Sequence, residues 1–324
     1  MKAIVCTRYG APDVLHLQDV PKPTPGDFEV LIRVKAAVVN HPDLVFRMGT
    51  PWISRLVIGL TKPKHAIPGD SFAGIVEAVG KKVSLFQPGD EIFGATGTEF
   101  GAHAEYLCLP ESAAMTPKPQ NMSFGEAVSV CYGGLTALPF LRDVGKIKAG
   151  QKVLINGASG GIGTYAVQMA KAYGAHVTAV CSGKNAAWVK ELGADRVIDY
   201  QQMDYTQEDV AYDIIFDTVA KSKFAKARRV LSAQGTFMTP GIPASIFPWI
   251  IWTSIFRGGK KARFAATGLR PTKDRLVDLK FMREWIEAGK MTSVIDREYS
   301  LAEVPEAHRY VATERKKGNV VIRI

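Results

Sequence analysis

The segment Val153-Leu154-Ile155-Asn156-Gly157-Ala158-Ser159-Gly160-Gly161-Ile162-Gly163 constrains the fold of this chain more than any other. An apolar, β-branched run enters a cluster of glycines and leaves as the helical sequence TYAVQMAKAYGA, after which comes a second apolar run, HVTAVC. A strand that turns on glycine into a helix and returns to a parallel strand is the core of a dinucleotide-binding unit. Glycine permits the tight turn and lets the backbone approach a pyrophosphate, while a bare Gly163 lets helix and strand pack closely. The N–H groups at the start of the helix then point at the phosphates. The competing reading is a glycine-rich turn that binds nothing, and the helix and second strand that follow at once weigh against it.

The surroundings fit such a unit. From about residue 121 the runs KVLINGA, HVTAVC, RVIDY, DIIFDTV and GTFMTPG alternate with helical stretches, a pattern that predicts a parallel sheet covered on both faces. Before it, AIVCT, EVLIRVKAAVV, GIVEAVG, GDEIFG and AEYLCL are divided by Pro and Gly clusters, as in a compact, partly antiparallel β domain. After a loop-like aromatic stretch near 243 to 261, the helical sequence DRLVDLKFMREWIEAG leads to NVVIRI, a strand expected to return to the first domain. The expected fold class is α/β: a β domain at 1–121 completed by 275–324, and a Rossmann domain at 122–274. A chain of 324 residues can bury two such cores without help from disulfides.

The tip of the second strand bears on which nicotinamide cofactor fits. An NAD site usually places a carboxylate there for the ribose hydroxyls, and that carboxylate would repel a 2′-phosphate. Here the tip reads Cys181-Ser182-Gly183-Lys184-Asn185, with a hydroxyl and a cation, so NADPH is expected. The four cysteines lie far apart with no Cys-x-x-Cys pair, the usage of a reducing compartment. The N-terminal MKAIVCTRYG lacks a long apolar run, no stretch reads as an uninterrupted bilayer span, and the expected location is cytoplasmic. The formal charge of +10 comes with no nucleic-acid motif, so no nucleic-acid partner is expected.

Asn40-His41-Pro42-Asp43 with Arg47 and Gly49, Pro68-Gly69-Asp70-Ser71-Phe72-Ala73-Gly74, Pro88-Gly89-Asp90, Gly134-Leu135-Thr136-Ala137, the glycine turn, Leu192-Gly193-Ala194-Asp195 and Phe216-Asp217 occur in family order. Over nearly the whole chain they resemble the zinc-independent, quinone oxidoreductase-like (zeta-crystallin-like) branch of the medium-chain dehydrogenase/reductase superfamily. The resemblance implies a GroES-like β domain joined to a Rossmann domain, an active site in the cleft between them, and a homodimer. It implies that Asn40 is the polar residue beside nicotinamide and substrate, that Thr136 contacts the cofactor near its reactive ring, and that Ser159, Gly160, Gly161, Ile162 and Gly163 hold the pyrophosphate. Ser182, Lys184 and Tyr200 correspond to contacts of the 2′-phosphate, and Val219, Gly241 and Asn319 to the rest of the cofactor. The chain departs from the family at Gly318-Asn319, where Gly-Lys is usual, and at Val45 and Pro51, where some members have pocket tyrosines.

Zinc-dependent members supply a Cys at the position of Asn40 and a His from the segment that here reads Gly69-Asp70-Ser71. A catalytic zinc takes about three protein ligands, and Asp70 with Cys131 would not satisfy it. Without a Lewis acid, hydride transfer to a quinone or an α,β-unsaturated carbonyl compound is the expected chemistry, because the substrate's own conjugation accepts the charge. Asn40 is then a candidate donor to the developing enolate or quinol oxygen, and Tyr132 a weaker candidate for the final proton. Two alternatives stay open: an enoyl-thioester reductase, and a weakly catalytic NADPH-binding protein with a sensing, structural or RNA-binding role. The run Ile246 to Phe256, followed by Arg257, Lys260, Lys261 and Arg263, sets aromatic and aliphatic residues beside cations. It reads first as a dimer contact, second as a pocket wall for a small lipophilic substrate, and third as a peripheral membrane contact.

Overall fold

The alternating, β-branched run at Glu29–Val39 forms the longest strand of the first unit, and the rest of that unit is built around it. The computed structural model describes residues 1–241, 244–255 and 259–324. Two units emerge: Met1–Tyr132 with Gly268–Ile324, and Gly133–Thr267. The first division falls later than the boundary read from the sequence at 121, inside one continuous helix, Phe124–Pro139.

In the first unit β1 (Lys2–Cys6) pairs antiparallel with β2 (Leu15–Asp19). A larger sheet contains β3 (Glu29–Val39), β4 (Ser71–Val79), β5 (Glu91–Ala95), β6 (Tyr106–Pro110) and β7 (Ala114–Pro117). It is completed by two strands from the end of the chain, Ile295–Ser300 and Asn319–Arg323, the latter antiparallel to β3. Its core includes Ile4, Val30, Ile32, Phe46, Phe72, Ile92 and Ile322, each fully buried. Each such side chain contributes about 1.5–3 kcal/mol by leaving water.

The helix α1 (His41–Met48) leaves the end of β3. Asn40 is extended, Pro42 sits in the first turn where a missing N–H costs nothing, and Gly49, at φ +62°, stops the helix in a conformation other residues avoid. Farther along are α2 (Arg55–Ile58) and α3 (Phe124–Pro139). With its continuation to Val144, α3 is long and apolar enough to cross a membrane by length and composition, although Glu126, Arg142 and Asp143 interrupt its apolar run. Most of that stretch is buried within the protein, as in a core helix.

Among its described residues the second unit contains a six-stranded, wholly parallel sheet: β8 (Lys152–Asn156), β9 (His176–Cys181), β10 (Arg196–Asp199), β11 (Tyr212–Asp217), β12 (Leu231–Thr239) and β13 (Lys261–Phe264), in the order β10-β9-β8-β11-β12-β13. Helices α4 (Gly163–Ala172), α5 (Ala186–Glu191) and α6 (Phe224–Ala227) alternate with the strands. This is the doubly wound order, and it reverses between β8 and β11. Ligands of such sheets bind beyond the carboxyl ends of the strands at that reversal.

One expectation is corrected. The aromatic stretch read as a loop contains a helix, α7 (Phe247–Ile255), and β13 follows as an edge strand. Nearly every residue of FPWIIWTSI is apolar, so no polar face marks the helical period in the sequence. Phe256 and Arg257 lie outside the described residues. The chain closes with α8 (Thr272–Glu287), β14 (Ile295–Ser300), α9 (Val304–Ala312) and β15 (Asn319–Arg323), all in the first unit.

Candidate functional site

In the second unit the glycine turn leaves β8 at the reversal point. Gly157 adopts φ +81°, and a side chain there would meet Thr218 Oγ1 at 2.6 Å and Val219 at 2.7 Å. A Cβ on Gly163 would overlap the Gly157 carbonyl oxygen, and one on Gly133 the Gly161 carbonyl oxygen. Gly160 is different: a Cβ there would meet only the Gly157 oxygen, at 3.4 Å, so its face is open. The result is a backbone cradle, floored by Gly157 and Gly163 and open at Gly160, with the N-terminus of α4 above it. It fits a pyrophosphate through backbone N–H groups and the helix dipole.

Asp217 at the end of β11 braces this floor. Its buried carboxylate accepts from Asn156 Nδ2 at 2.9 Å and from the Ser222 N–H at 2.8 Å, and burial raises its pKa. Val219 is exposed beside Gly157, Gly241 packs on Ala220, and Thr136 is buried on α3. Gly133 was not singled out in the sequence, although its contact with Gly161 is what seats α3 on the turn.

At the tip of β9, Ser182 is buried, whereas Lys184 and Tyr200 are exposed. The Tyr200 N–H donates to the Cys181 carbonyl at 3.2 Å, which holds Tyr200 beside that tip. The sequence reading found no carboxylate here, and the structure brings one in. Asp199, at the end of neighbouring β10, places Oδ2 2.5 Å from where a Gly183 side chain would begin. Burial first, and the Asp199 charge second, push the Cys181 thiol up to about 11. Asn319 belongs to the first unit, where its backbone N–H and Nδ2 both donate to the Val294 carbonyl, at 2.9 and 3.2 Å.

The first unit gathers a second set of groups around Asn40. Its backbone N–H donates to Asp43 Oδ2 at 2.9 Å, and the Gly69 N–H donates to Asp43 Oδ1 at 3.2 Å. Its side-chain Nδ2 donates to Asp70 Oδ1 at 3.0 Å, an oxygen that also accepts from Ser71 Oγ at 2.9 Å. Asn40 is 3% exposed, and its Oδ1, which meets the Asp43 N–H in a capping box, makes no hydrogen bond of ordinary geometry among the described residues. One Nδ2 hydrogen goes to Asp70, which leaves the second Nδ2 hydrogen as a donor and Oδ1 as an acceptor.

Asp43 and Asp70 are both held above the ordinary carboxylate range, chiefly by burial, and for Asp43 also by the charge of Asp70. Desolvation raises the Tyr132 phenol, with Asp70 and Asp43 adding to it, so it stays protonated. Arg275 of α8 supplies the opposing charge felt by Asp70. The motif containing Asp43 was recognised in the sequence without a role for it, and Arg275 was missed because it lies far along the chain.

Behind α1 two buried histidines meet edge to face, His103 and His308, with ring centroids 6.3 Å apart. His103 Nε2 bonds the Val38 carbonyl at 2.9 Å, and Arg47 Nε donates to His308 Nδ1. Burial lowers His103 to about 4, and burial with the neighbouring His103 and Arg47 charges lowers His308 well below the ordinary histidine value.

A doubly wound parallel sheet with a glycine cradle at its reversal point is the arrangement of a dinucleotide-binding domain. The comparisons with known proteins agree. Residues 26–120 match the alcohol dehydrogenase GroES-like domain, and residues 192–322 match the family described as zinc-binding dehydrogenase. The quinone oxidoreductase of Sus scrofa is 32% identical over 329 residues, covering 97% of this chain and 95% of that protein. The mitochondrial NAD(P)H oxidoreductase RTN4IP1 of Bos taurus is 31% identical over 367 residues, covering 100% of this chain and 89% of that protein. Among solved structures, the quinone oxidoreductase from Coxiella burnetii superposes with a TM-score of 0.87 at 27% identity, covering 100% of this chain and 99% of that one. The chain belongs to the zinc-independent, quinone oxidoreductase-like branch of the medium-chain dehydrogenase/reductase superfamily. It is an oxidoreductase that uses a nicotinamide cofactor.

The name of the second matching family raises zinc, and the residues around Asn40 do not fit that ion. Asp70 Oδ1 already accepts two hydrogens, both Asp43 oxygens accept backbone N–H groups, and the Arg275 charge acts on Asp70. Among the described residues no group of three or more His, Cys, Asp or Glu side chains is placed to hold a metal.

Proposed function

We propose that the protein is an NADPH-dependent reductase of small, lipophilic quinones or α,β-unsaturated carbonyl compounds. The observation that carries this reading is the Asn40–Asp70 hydrogen bond, which sets an amide and a carboxylate where zinc-dependent relatives keep ligands. With no Lewis acid to polarise a simple ketone, the substrate must accept hydride through its own conjugation. The bound nicotinamide supplies that hydride. Asn40 Oδ1 accepts an N–H or O–H of the bound pair, while Asp70 holds the other end of the amide and so fixes its orientation. Tyr132, kept protonated by burial and two carboxylates, remains an O–H group at neutral pH.

Backbone N–H groups of Ser159 to Gly163 bind the pyrophosphate, and Ser182, Lys184 and Tyr200 bind the 2′-phosphate. The exposure of Lys184 and the position of Tyr200 beside the β9 tip support NADPH. Asp199 opposes it in part. The test is a titration of metal-free protein with NADPH and NADH, followed by a panel of quinones, enones, an enoyl thioester and a simple ketone. Tighter NADPH binding with oxidation on quinones or enones is the expected result. Efficient reduction of the simple ketone, or preference for the thioester, would overturn the reading.

A further inference from the structure

The positive charge of this chain is not spread evenly. Residues 218–267 contain nine Lys and Arg and no Asp or Glu, out of 41 basic and 31 acidic residues in all. The remainder of the chain is therefore balanced to within one charge. The same segment contains α7, which has no charged residue.

Helix α7 presents one apolar face outward. Phe247, Ile251 and Ile255 recur at four-residue spacing with Trp252 beside them, and they are 51%, 59%, 68% and 59% exposed. On the opposite side Thr253 is buried, and Trp249 packs on Phe224 at 5.4 Å between ring centroids. A monomeric protein seldom leaves four large apolar side chains of one helix in water.

Cations border this helix at its carboxyl end and beside Trp249. Lys261 Nζ donates to the Thr253 carbonyl at 2.9 Å and Arg263 to Ser254 Oγ at 3.2 Å, both at the carboxyl end of α7. Lys260 Nζ donates to the Arg228 carbonyl at 2.7 Å, and the Arg228 guanidinium lies 5.5 Å from the Trp249 ring centre. Apolar face and cationic rim thus form one surface of the second unit.

We propose that α7 and its cationic rim dock the protein on an anionic lipid bilayer, the helix lying in the headgroup plane with Phe247, Ile251, Trp252 and Ile255 turned toward the acyl chains. Such helices bind through buried apolar area together with attraction of Lys and Arg to lipid phosphates. A second copy of the chain fits the same surface poorly. A two-fold interface pairs a patch with itself, and residues 218–267 offer no carboxylate to meet their nine cations. Nucleic acid would meet the cations but leave Ile251 and Ile255 without a role, because aliphatic side chains do not stack on bases.

The test is flotation of the full chain with phosphatidylcholine vesicles, alone and with about 30% phosphatidylglycerol, at low salt and at about 0.5 M salt. Binding is expected only with the anionic lipid, reduced by salt, with a blue shift of tryptophan fluorescence. Trp252→Ser combined with Ile255→Ser, and Arg228→Glu combined with Arg229→Glu, should each weaken binding by about tenfold or more while keeping the wild-type melting temperature. Absence of binding to anionic vesicles, or equal binding by the folded variants, overturns the proposal. A lipid-free dimer that the Trp252 and Ile255 changes convert to monomer also overturns it and assigns the face to a second copy. Binding to an RNA or DNA oligonucleotide in place of vesicles would do the same in favour of nucleic acid.

Discussion

The two units build their sites in opposite ways. In the second unit, a contiguous stretch from Gly157 to Gly163 makes a cradle of backbone in which side chains are excluded. In the first, Asn40 and Asp43 of one segment meet Asp70, Tyr132 and Arg275 from three others, and the work is done by charged and polar side chains held out of water. The difference teaches where each is vulnerable. The cradle fails on the addition of a single carbon at Gly157 or Gly163, whereas the Asn40 cluster answers to protons.

The sharpest way to break this contrast is Gly163→Val. Its Cβ would overlap the Gly157 carbonyl oxygen, so the turn must open, and NADPH affinity should fall by about a thousandfold or more, roughly 4 kcal/mol, in a fluorescence titration. Retained affinity would mean that the cradle is not the pyrophosphate site.

Next comes the pH response of the first unit. With His103 at about 4, below its ordinary 6.5, the folded protein binds fewer protons than the unfolded chain across that window. The stabilisation from His103 is therefore complete above 6.5 and is lost as the pH falls toward 4. Asp43 and Asp70, raised above their ordinary value, act with the opposite sign: what they contribute is present at low pH and is lost as the pH rises through their folded values. His103→Gln should reduce the loss of stability on acidification by up to about 3 kcal/mol, read from urea unfolding at several pH values. An unchanged acid limb would show that His103 titrates normally in the folded state.

Asn40→Ala should lower kcat by about thirtyfold, roughly 2 kcal/mol, with less than about a threefold change in NADPH affinity. Equal losses in both would make Asn40 a part of cofactor binding alone. The smallest effects are expected at the β9 tip. Lys184→Ala should weaken NADPH by about tenfold and NADH hardly at all, and Asp199→Asn should strengthen NADPH by about threefold. Parallel shifts for the two cofactors would remove both residues from 2′-phosphate recognition.

The cradle was legible in the sequence because every atom it needs is local: β-branched residues, then glycines, then a helix. Asn40 was legible as a position, but the direction of its amide was not, since that depends on Asp70 thirty residues away. Helix α7 was missed because an all-apolar stretch carries no period to read. Asp199 was missed because the sequence argument stopped at the tip of β9, whereas its carboxylate arrives from the next strand of the sheet.

By itself, the sequence determined the alternation of strands and helices, the glycine turn and the uneven placement of charge, all of which follow from the order of residues along the chain. Only the tertiary structure decided that the Asn40 amide is bonded to Asp70, that the Arg275 charge acts on Asp70, that Asp199 approaches Gly183 and that cations border an exposed apolar helix. The physical reason is range. Backbone conformation answers to neighbours a few residues away, whereas desolvation, hydrogen-bond choice and surface exposure depend on what the fold brings alongside.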